Sequence, residues 1–500
     1  MTFIGHTEQA GLELPDSPAV VEGIMRRFTD GTTADFSDAL AMVGNCIRPI
    51  RLVGTSETID PTTGEVLGSF ASAEAPLGVL HVPCGNRREA VCPACARTYA
   101  ADTFQMIRSG VTGGKTVPES VADNPLVFAT LTAPSFGAVH GVRDHGVCRH
   151  GRGTCEHGIP RGCDRRHEEG DAAVGAPICS ACYDQTTQVV WQWWAPELWR
   201  RFTIALRRQL ARTFGVTDSR LKDLATVQYA KVAEFQARGA VHFHALVRLD
   251  GPRTDEGFGP APAGVTASLL ADTISAAASS VSMEAPPTGE GDPVRVLRFG
   301  KQTDVRIVAA HRRTDTPGVV LDAGQVAGYL AKYASKASAD TTDHGPHRHY
   351  QHLREVAQRI GDLAAIRAAQ VRASAGDDLD PSDEADPYER MTKWVASLGF
   401  RGHFSTKSRR YSITLGALRR ARRRWRQLAA ELGSQMATLD TAELEARLLS
   451  DAEEDTTVVV GSWAFAGSGW SNSGDEALAR AAAGRAREYD QWKAGRNMEM

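Results

Sequence analysis

The 500-residue chain has no apolar run approaching the roughly eighteen residues that a membrane-spanning helix needs. No N-terminal apolar stretch with a small-residue cleavage site precedes the first cysteines, so the cytoplasm is the expected location. No internal repeat is evident, which argues against solenoids and propellers. A motor driven by nucleotide hydrolysis is also not expected. Gly110–Thr116 reads G-V-T-G-G-K-T, but only three residues separate Gly110 from Gly114 where a phosphate-binding loop has four. A helix-like segment precedes it where a strand is required. Cysteine is sparse and odd in number, nine in all, so a disulfide framework is not expected and a reducing compartment fits better. With 42% hydrophobic residues, a chain this long can bury more than one core, and two or three domains are expected.

The few cysteines are arranged for metal. Cys92-Pro-Ala-Cys95 and Cys179-Ser-Ala-Cys182 have the spacing of zinc knuckles but lie too far apart for one compact ribbon. Cys92 and Cys95 are expected to join Cys84 and Cys46 as four thiolates. A second group holds Cys148, Cys155, Cys163, Cys179 and Cys182, with His145, His150, His157 and His167 nearby. Four of these would close one tetrahedral site, and two sites arise if histidines contribute; the sharing of thiols stays open. The stretch from His145 to Asp171 has too few apolar residues for a core of its own, and Zn²⁺ can order such a segment.

Two motifs carry the chemistry. Tyr329 to Lys336 reads Y-L-A-K-Y-A-S-K, a doubled Tyr-x-x-Lys. The segment from Gln325 is rich in Ala, Leu and Lys and predicts a helix with Tyr329 and Tyr333 on one side. Lys332 and Lys336 follow each tyrosine by three residues, close to a phosphate at either hydroxyl. Upstream, His242-Phe243-His244 lies in the strand-like run Val241–Leu249, and Ala225–Gln236 can form its antiparallel partner. A three-residue loop, Ala237-Arg238-Gly239, puts glycine where a left-handed residue is wanted. Counting outward, Gln236 faces Ala240 and Glu234 faces His242. Two imidazoles and a carboxylate then share one face, a suitable set for Mg²⁺ or Mn²⁺, with Gln236 in reserve. One more loop residue would turn Glu234 away.

Charge is unevenly distributed behind a formal net of −3. Arg401 to Arg426 holds ten Lys or Arg and no acid, interleaved with Phe404, Tyr411 and Trp425, whereas Asp377–Glu389 is acidic. Arg401, Lys407, Arg409, Arg410, Arg419 and Arg420 are the expected DNA contacts. The expected organisation is a polar segment at 1–45, a cysteine module at 46–120, a catalytic domain at 121–340 with a Cys/His insertion at 141–183, an acidic linker at 341–390 and a basic region at 391–500. The expected fold class is α+β, with an antiparallel sheet as its centre.

The order strand, His-hydrophobic-His, then paired Tyr-x-x-Lys resembles the HUH endonucleases, specifically the rolling-circle initiators with paired tyrosines. Further strings resemble the initiators of actinobacterial integrative and conjugative elements and plasmids. They are C-G-N-R-R-E-A-V-C-P-A-C at 84–95, L-T-A-P-S-F-G at 131–137, L-W-R-R-F-T-I at 198–204, F-G-K-Q-T-D-V-R at 299–306 and G-F-R-G-H-F-S-T-K-S-R-R-Y-S at 399–412. The resemblance implies His242 and His244 as metal ligands, Glu234 as the third, and Tyr329 and Tyr333 as nucleophiles. It also implies that Lys332 and Lys336 help hold the phosphate or the ion. It implies a metal-dependent endonuclease that nicks an origin, leaves a 5′-phosphotyrosine and a free 3′-hydroxyl, and rejoins the strand at termination. Origin DNA, single-stranded at the nick, is the expected partner, with a host helicase and polymerase supplying unwinding and synthesis. A conjugative relaxase or transposase of the same chemistry, or a zinc-stabilised DNA-binding regulator without catalysis, are the alternatives.

Overall fold

The computed structural model describes residues 17–143, 146–254, 258–309, 321–336, 346–375, 386–432, 440–449 and 458–499. In chain order its main elements are α1 (Pro18–Thr29), α2 (Thr33–Met42), β1 (Ile50–Ile59), β2 (Val66–Ala71), β3 (Leu80–Val82) and α3 (Pro93–Thr112). Next come β4 (Leu126–Leu131), α4 (Gln185–Thr213), β5 (Thr226–Phe235), β6 (Val241–Asp250) and α5 (Ala267–Ser280). They are followed by β7 (Ser282–Ala285), β8 (Arg295–Arg298), β9 (Thr303–Ala309), β10 (Leu321–Asp322), α6 (Ala323–Lys336) and α7 (His347–Ala375). The chain closes with β11 (Ser405–Lys407), α8 (Leu415–Leu432), α9 (Thr441–Leu449), β12 (Val458–Ser468) and α10 (Ser473–Glu499). The fold is mixed α and β, with antiparallel and mixed sheets.

Residues 1–99 and 450–500 make one compact unit, and 100–449 make the other. The segment 391–500, expected as a single basic region, is therefore shared between units. The cause is long-range pairing: β12 lies antiparallel along the whole of β1, from Ile50 opposite Ser468 to Ile59 opposite Val458. β2 and β3 also pair with β1. The segment expected as a polar lead-in supplies α1 and α2, and α2 with its C-terminal cap residue buries Phe36, Leu40 and Val43 in this unit's core. Trp470 closes that core against Phe36, and its Nε1 donates to the Cys46 carbonyl at 3.1 Å. Arg27 grips the buried Asp475 with two hydrogen bonds of 2.6 and 2.9 Å. This joins α1 to α10.

The second unit is built on a six-stranded sheet in the order β10-β9-β4-β6-β5-β11. All its pairs are antiparallel except β10 with β9. One face is packed by α4, through Trp191, Leu198, Trp199 and Phe202, and by α5 through Leu270 and Ile274. The other face carries Phe128, Val232 and Leu246 against α6, α8 and the Ala100–Thr112 part of α3. Covering on both sides explains why β6 is buried at nearly every position instead of alternating. At its far end, the fully buried Arg248 is neutralised by Asp250 at 2.6 and 2.9 Å. The G-V-T-G-G-K-T string runs out of α3, so a helix precedes it where a phosphate-binding loop requires a strand, as expected.

The hairpin has the expected register, with Glu234 opposite His242. Gly239 sits at φ +71°, its N–H donates to the Gln236 carbonyl at 2.7 Å, and Gln236 N–H donates to the Ala240 carbonyl at 2.9 Å. A Cβ at Gly239 would also meet the Tyr350 ring at 2.9 Å. Gly239→Ala should cost about 1–2 kcal/mol from the left-handed backbone alone. Denaturant unfolding of the purified chain should show a lower midpoint; an unchanged midpoint would mean that the turn tolerates a side chain.

Candidate metal centres and tyrosine site

Three clusters of cysteine and histidine, and one of histidine and carboxylate, could hold metal ions among the described residues. The first is Cys46, Cys84, Cys92 and Cys95, the set expected from sequence. Sγ atoms of Cys84 and Cys95, and of Cys46 and Cys92, are 3.7 Å apart in each pair. A tetrahedral ion with Zn–S bonds of about 2.3 Å sets sulfur edges of about 3.8 Å, so the thiols fit zinc. Thiolates at this spacing repel one another. Hydrogen bonding from Cys46 and Cys95 pulls the Cys92 thiol down, while Cys46 is pushed up to about 12 by its bond to Cys92 and burial. A cation would remove that conflict.

The insertion between β4 and α4 divides its ligands into two groups. His140, Cys148, Cys163 and His167 form one, and Cys155, His157, Cys179 and Cys182 the other. In the first, Cys148 Sγ lies 3.8 Å from His140 Nδ1, Cys163 Sγ 3.6 Å from His167 Nε2, and the two ring nitrogens 3.2 Å apart. In the second, His157 Nδ1 is 3.3 Å from Cys182 Sγ and 3.9 Å from Cys155 Sγ. These edges bracket the about 3.6 Å expected between sulfur and nitrogen on a tetrahedral zinc. All five expected cysteines, with His157 and His167, are brought together. His150 is exposed outside both groups, and His145 lies outside the described residues.

His140 was missed because it precedes the Cys/His-rich stretch. The unequal spacings His140-x7-Cys148 and Cys163-x3-His167 gave no paired signal in the sequence. Asp171 also went unread. Its Oδ2 accepts from His167 Nδ1 at 2.6 Å, leaving Nε2 for a metal.

The fourth cluster is Glu234, His242 and His244, carried by adjacent positions of β5 and β6. Glu234 Oε2 lies 2.9 Å from His242 Nε2 and 3.1 Å from His244 Nε2. Octahedral coordination with bonds of about 2.1 Å has ligand edges of about 3.0 Å, so the donors suit a small hard cation. Burial pushes the Glu234 carboxyl up, yet its bonds to His242 and His244 outweigh this and hold it below the ordinary value. Burial lowers His244, which favours the neutral ring that a metal ligand needs. Thr130 Oγ1 meets His244 Nδ1 at 3.0 Å, and the Phe128 ring stacks on the imidazole at 5.6 Å. Gln236, the reserve ligand, instead accepts from Arg238 Nε at 3.0 Å.

The tyrosine helix reaches this cluster. α6 buries Val326, Ala327, Leu330 and Ala331 against the sheet, which turns Tyr329 along the flank of the packed face. Tyr329 Oη comes within 3.4 Å of His244 Nε2, its ring edge-on to the imidazole at 5.3 Å, and the residue stays 39% exposed. Lys332 is exposed on the same helix. Tyr333 and Lys336 belong to α6, but their side chains lie outside the described residues.

The basic residues divide by what they touch. Arg401 is held between Trp193 and Trp194, 4.6 and 4.9 Å from the ring centroids, and donates to the Trp193 carbonyl. Lys407 Nζ donates to the Ser408, Arg409 and Ser412 carbonyls, and burial lowers it to about 8. Arg410 donates to the Thr254 carbonyl, and Arg409 and Arg419 are exposed. On α8, Arg422 is taken by Asp102, 2.7 Å away through Nη2.

Purified protein should carry three tightly bound zinc ions per chain from the three thiolate clusters. His140→Ala should lose about one of them by elemental analysis. Full zinc content in that variant would remove His140 from the ligand set.

The comparisons with known proteins agree with each other. A family described as "Replication initiator protein, pSAM2" (RepSA) matches residues 32–484. A curated protein named "Replication initiator protein" from Streptomyces ambofaciens is 39% identical over 468 residues, covering 91% of this chain and 92% of its own. No solved structure matches. Among the described residues, no helix is long and apolar enough to cross a membrane. On the strength of a match over nearly its whole length, the chain belongs to the RepSA family of replication initiator proteins.

Proposed function

We propose that the chain is an HUH-type endonuclease and strand transferase that starts rolling-circle replication by nicking one strand of its origin. The observation that carries this reading is the Tyr329 hydroxyl, 3.4 Å from His244 Nε2 and beside Glu234 and His242. A divalent ion held by Glu234, His242 and His244 would offset the phosphate charge and fix its oxygens for in-line attack.

The rest falls to the side chains. Tyr329 Oη attacks phosphorus, an O–P bond forms and the P–O3′ bond breaks. The phenolic proton passes to solvent and the departing 3′-oxygen takes one up, leaving a 5′-phosphotyrosine and a 3′-hydroxyl primer. The transesterification needs no oxidant or nucleotide, and the covalent link keeps the strand available for rejoining. Lys332 stands on the same helix to meet the phosphate. Tyr333, one turn further on, supplies a second nucleophile for termination while the first remains occupied. Thr130 holds His244 in the tautomer that presents Nε2. Arg409, Arg410, Arg419 and Arg420 contact the DNA backbone, whereas Arg401 and Lys407 act mainly through the protein groups they hold. A host helicase and polymerase supply unwinding and synthesis.

Single-stranded origin oligonucleotide incubated with wild-type protein and Mn²⁺ should give a covalent adduct on a denaturing gel. Tyr329→Phe combined with Tyr333→Phe should abolish it; an adduct that persists would sink the nucleophile assignment. Thr130→Val should lower metal affinity or nicking by about 10–100-fold. Wild-type behaviour in that variant would show that Thr130 does not orient the ligand.

A further inference from the structure

At the opposite end of β5 from Glu234, a cleft of about 360 Å³ opens between the end of α4, the start of β5, the loop after β6 and the loop after β11. Arg207, Lys222, Arg253, Arg409 and Arg410 line it, with Asp218 as the one acid among the described residues of its wall. Asp218 is already committed to Arg208, at 3.0 Å. Arg410 donates to the carbonyl of Thr254, the residue after the lining residue Arg253. The side chains of Arg207, Lys222, Arg253 and Arg409 are exposed and make no ion pair among the described residues. Four or five positive charges thus converge on one cavity whose only acid among the described lining residues, Asp218, is paired elsewhere, and a polyanion is the ligand that such a field selects.

Phe258, held at φ +59°, adds an aromatic ring to the wall beside the cations. Cations around a cavity with an aromatic surface are the pattern of single-strand nucleic-acid sites, where phosphates meet charge and bases stack. Glu234 at the triad lies six positions along extended β5 from Gln228 at the cleft, about 20 Å at about 3.3 Å per residue. We propose that the cleft is a second DNA site that holds the phosphate backbone of a single strand away from the tyrosine centre. The identity of the anion as DNA rests on the function proposed above; the cationic site itself does not. Only Arg409 and Arg410 stood out in the sequence, because Arg207, Lys222 and Arg253 come from three separate elements.

The triple variant Arg207→Gln/Lys222→Gln/Arg253→Gln tests this by fluorescence anisotropy with a labelled, mixed-sequence single-stranded oligonucleotide. Removing three phosphate contacts should reduce the slope of log affinity against log salt by about two. Between 50 and 200 mM salt, wild-type affinity should therefore fall about 20-fold more than the variant's. The single Arg253→Gln should move the slope in the same direction by about 0.7, which guards against a folding defect in the triple variant. Unchanged slope and affinity in both variants would overturn the proposal. So would calorimetric binding of dTMP by the wild type alone together with an unchanged oligonucleotide slope, which would make this a free-nucleotide site. Covalent attachment to a short oligonucleotide spanning only the nick should persist in the triple variant. Failure of the tyrosine reading would appear in the wild type as no adduct, with the anisotropy result still standing.

Discussion

The three-residue turn Ala237-Arg238-Gly239 sets the register of β5 against β6, and that register decides whether Glu234 meets His242 and His244 or faces the other side of the sheet. The turn is clamped from every direction. Arg238 donates to the Pro134 and Ala133 carbonyls at 2.8 and 2.9 Å, while its own carbonyl accepts from Gln188 at 3.1 Å. Tyr350 Oη donates to the Ala237 carbonyl at 3.0 Å. Gly175, at the end of the Cys/His insertion, lies so close that a Cβ there would come within 2.1 Å of the same carbonyl. A slip of one residue would break all of these contacts at once, along with the triad.

The thiolate clusters belong to the same logic. The insertion has little apolar surface, yet its last segment packs on the turn that aligns the triad. Metal at His140, Cys148, Cys163 and His167 would give that segment rigidity that burial cannot. In the other unit, Cys46 connects the cysteine cluster to Trp470 through its carbonyl, so a ligand loop and the chain's C-terminal region close one core. In both units the candidate metal ligands sit where hydrophobic packing also holds the chain.

Local signals were legible in the sequence and long-range ones were not. The hairpin register followed from one glycine and a count of residues. The helix from Gln325 onward followed from composition, and the structure forms it as Ala323–Lys336. The set Cys46, Cys84, Cys92 and Cys95 was readable because few other thiols could complete it. His140 was not, because its role depends on a fold-back from Cys163 and His167. The sharing of 391–500 between units was hidden too, since β12 finds β1 across about four hundred residues of chain. Arg401 resembled a DNA contact in a basic run, yet two tryptophans from α4 occupy it. Sequence spacing cannot reveal such tertiary partners.

The account turns on a divalent ion held by Glu234, His242 and His244 within reach of Tyr329. Crystals soaked in Mn²⁺ and measured for anomalous scattering test this most directly. The prediction is a peak bonded to a Glu234 carboxylate oxygen and the Nε2 atoms of both histidines. No peak at saturating Mn²⁺, or an ion bound without His244, would contradict it.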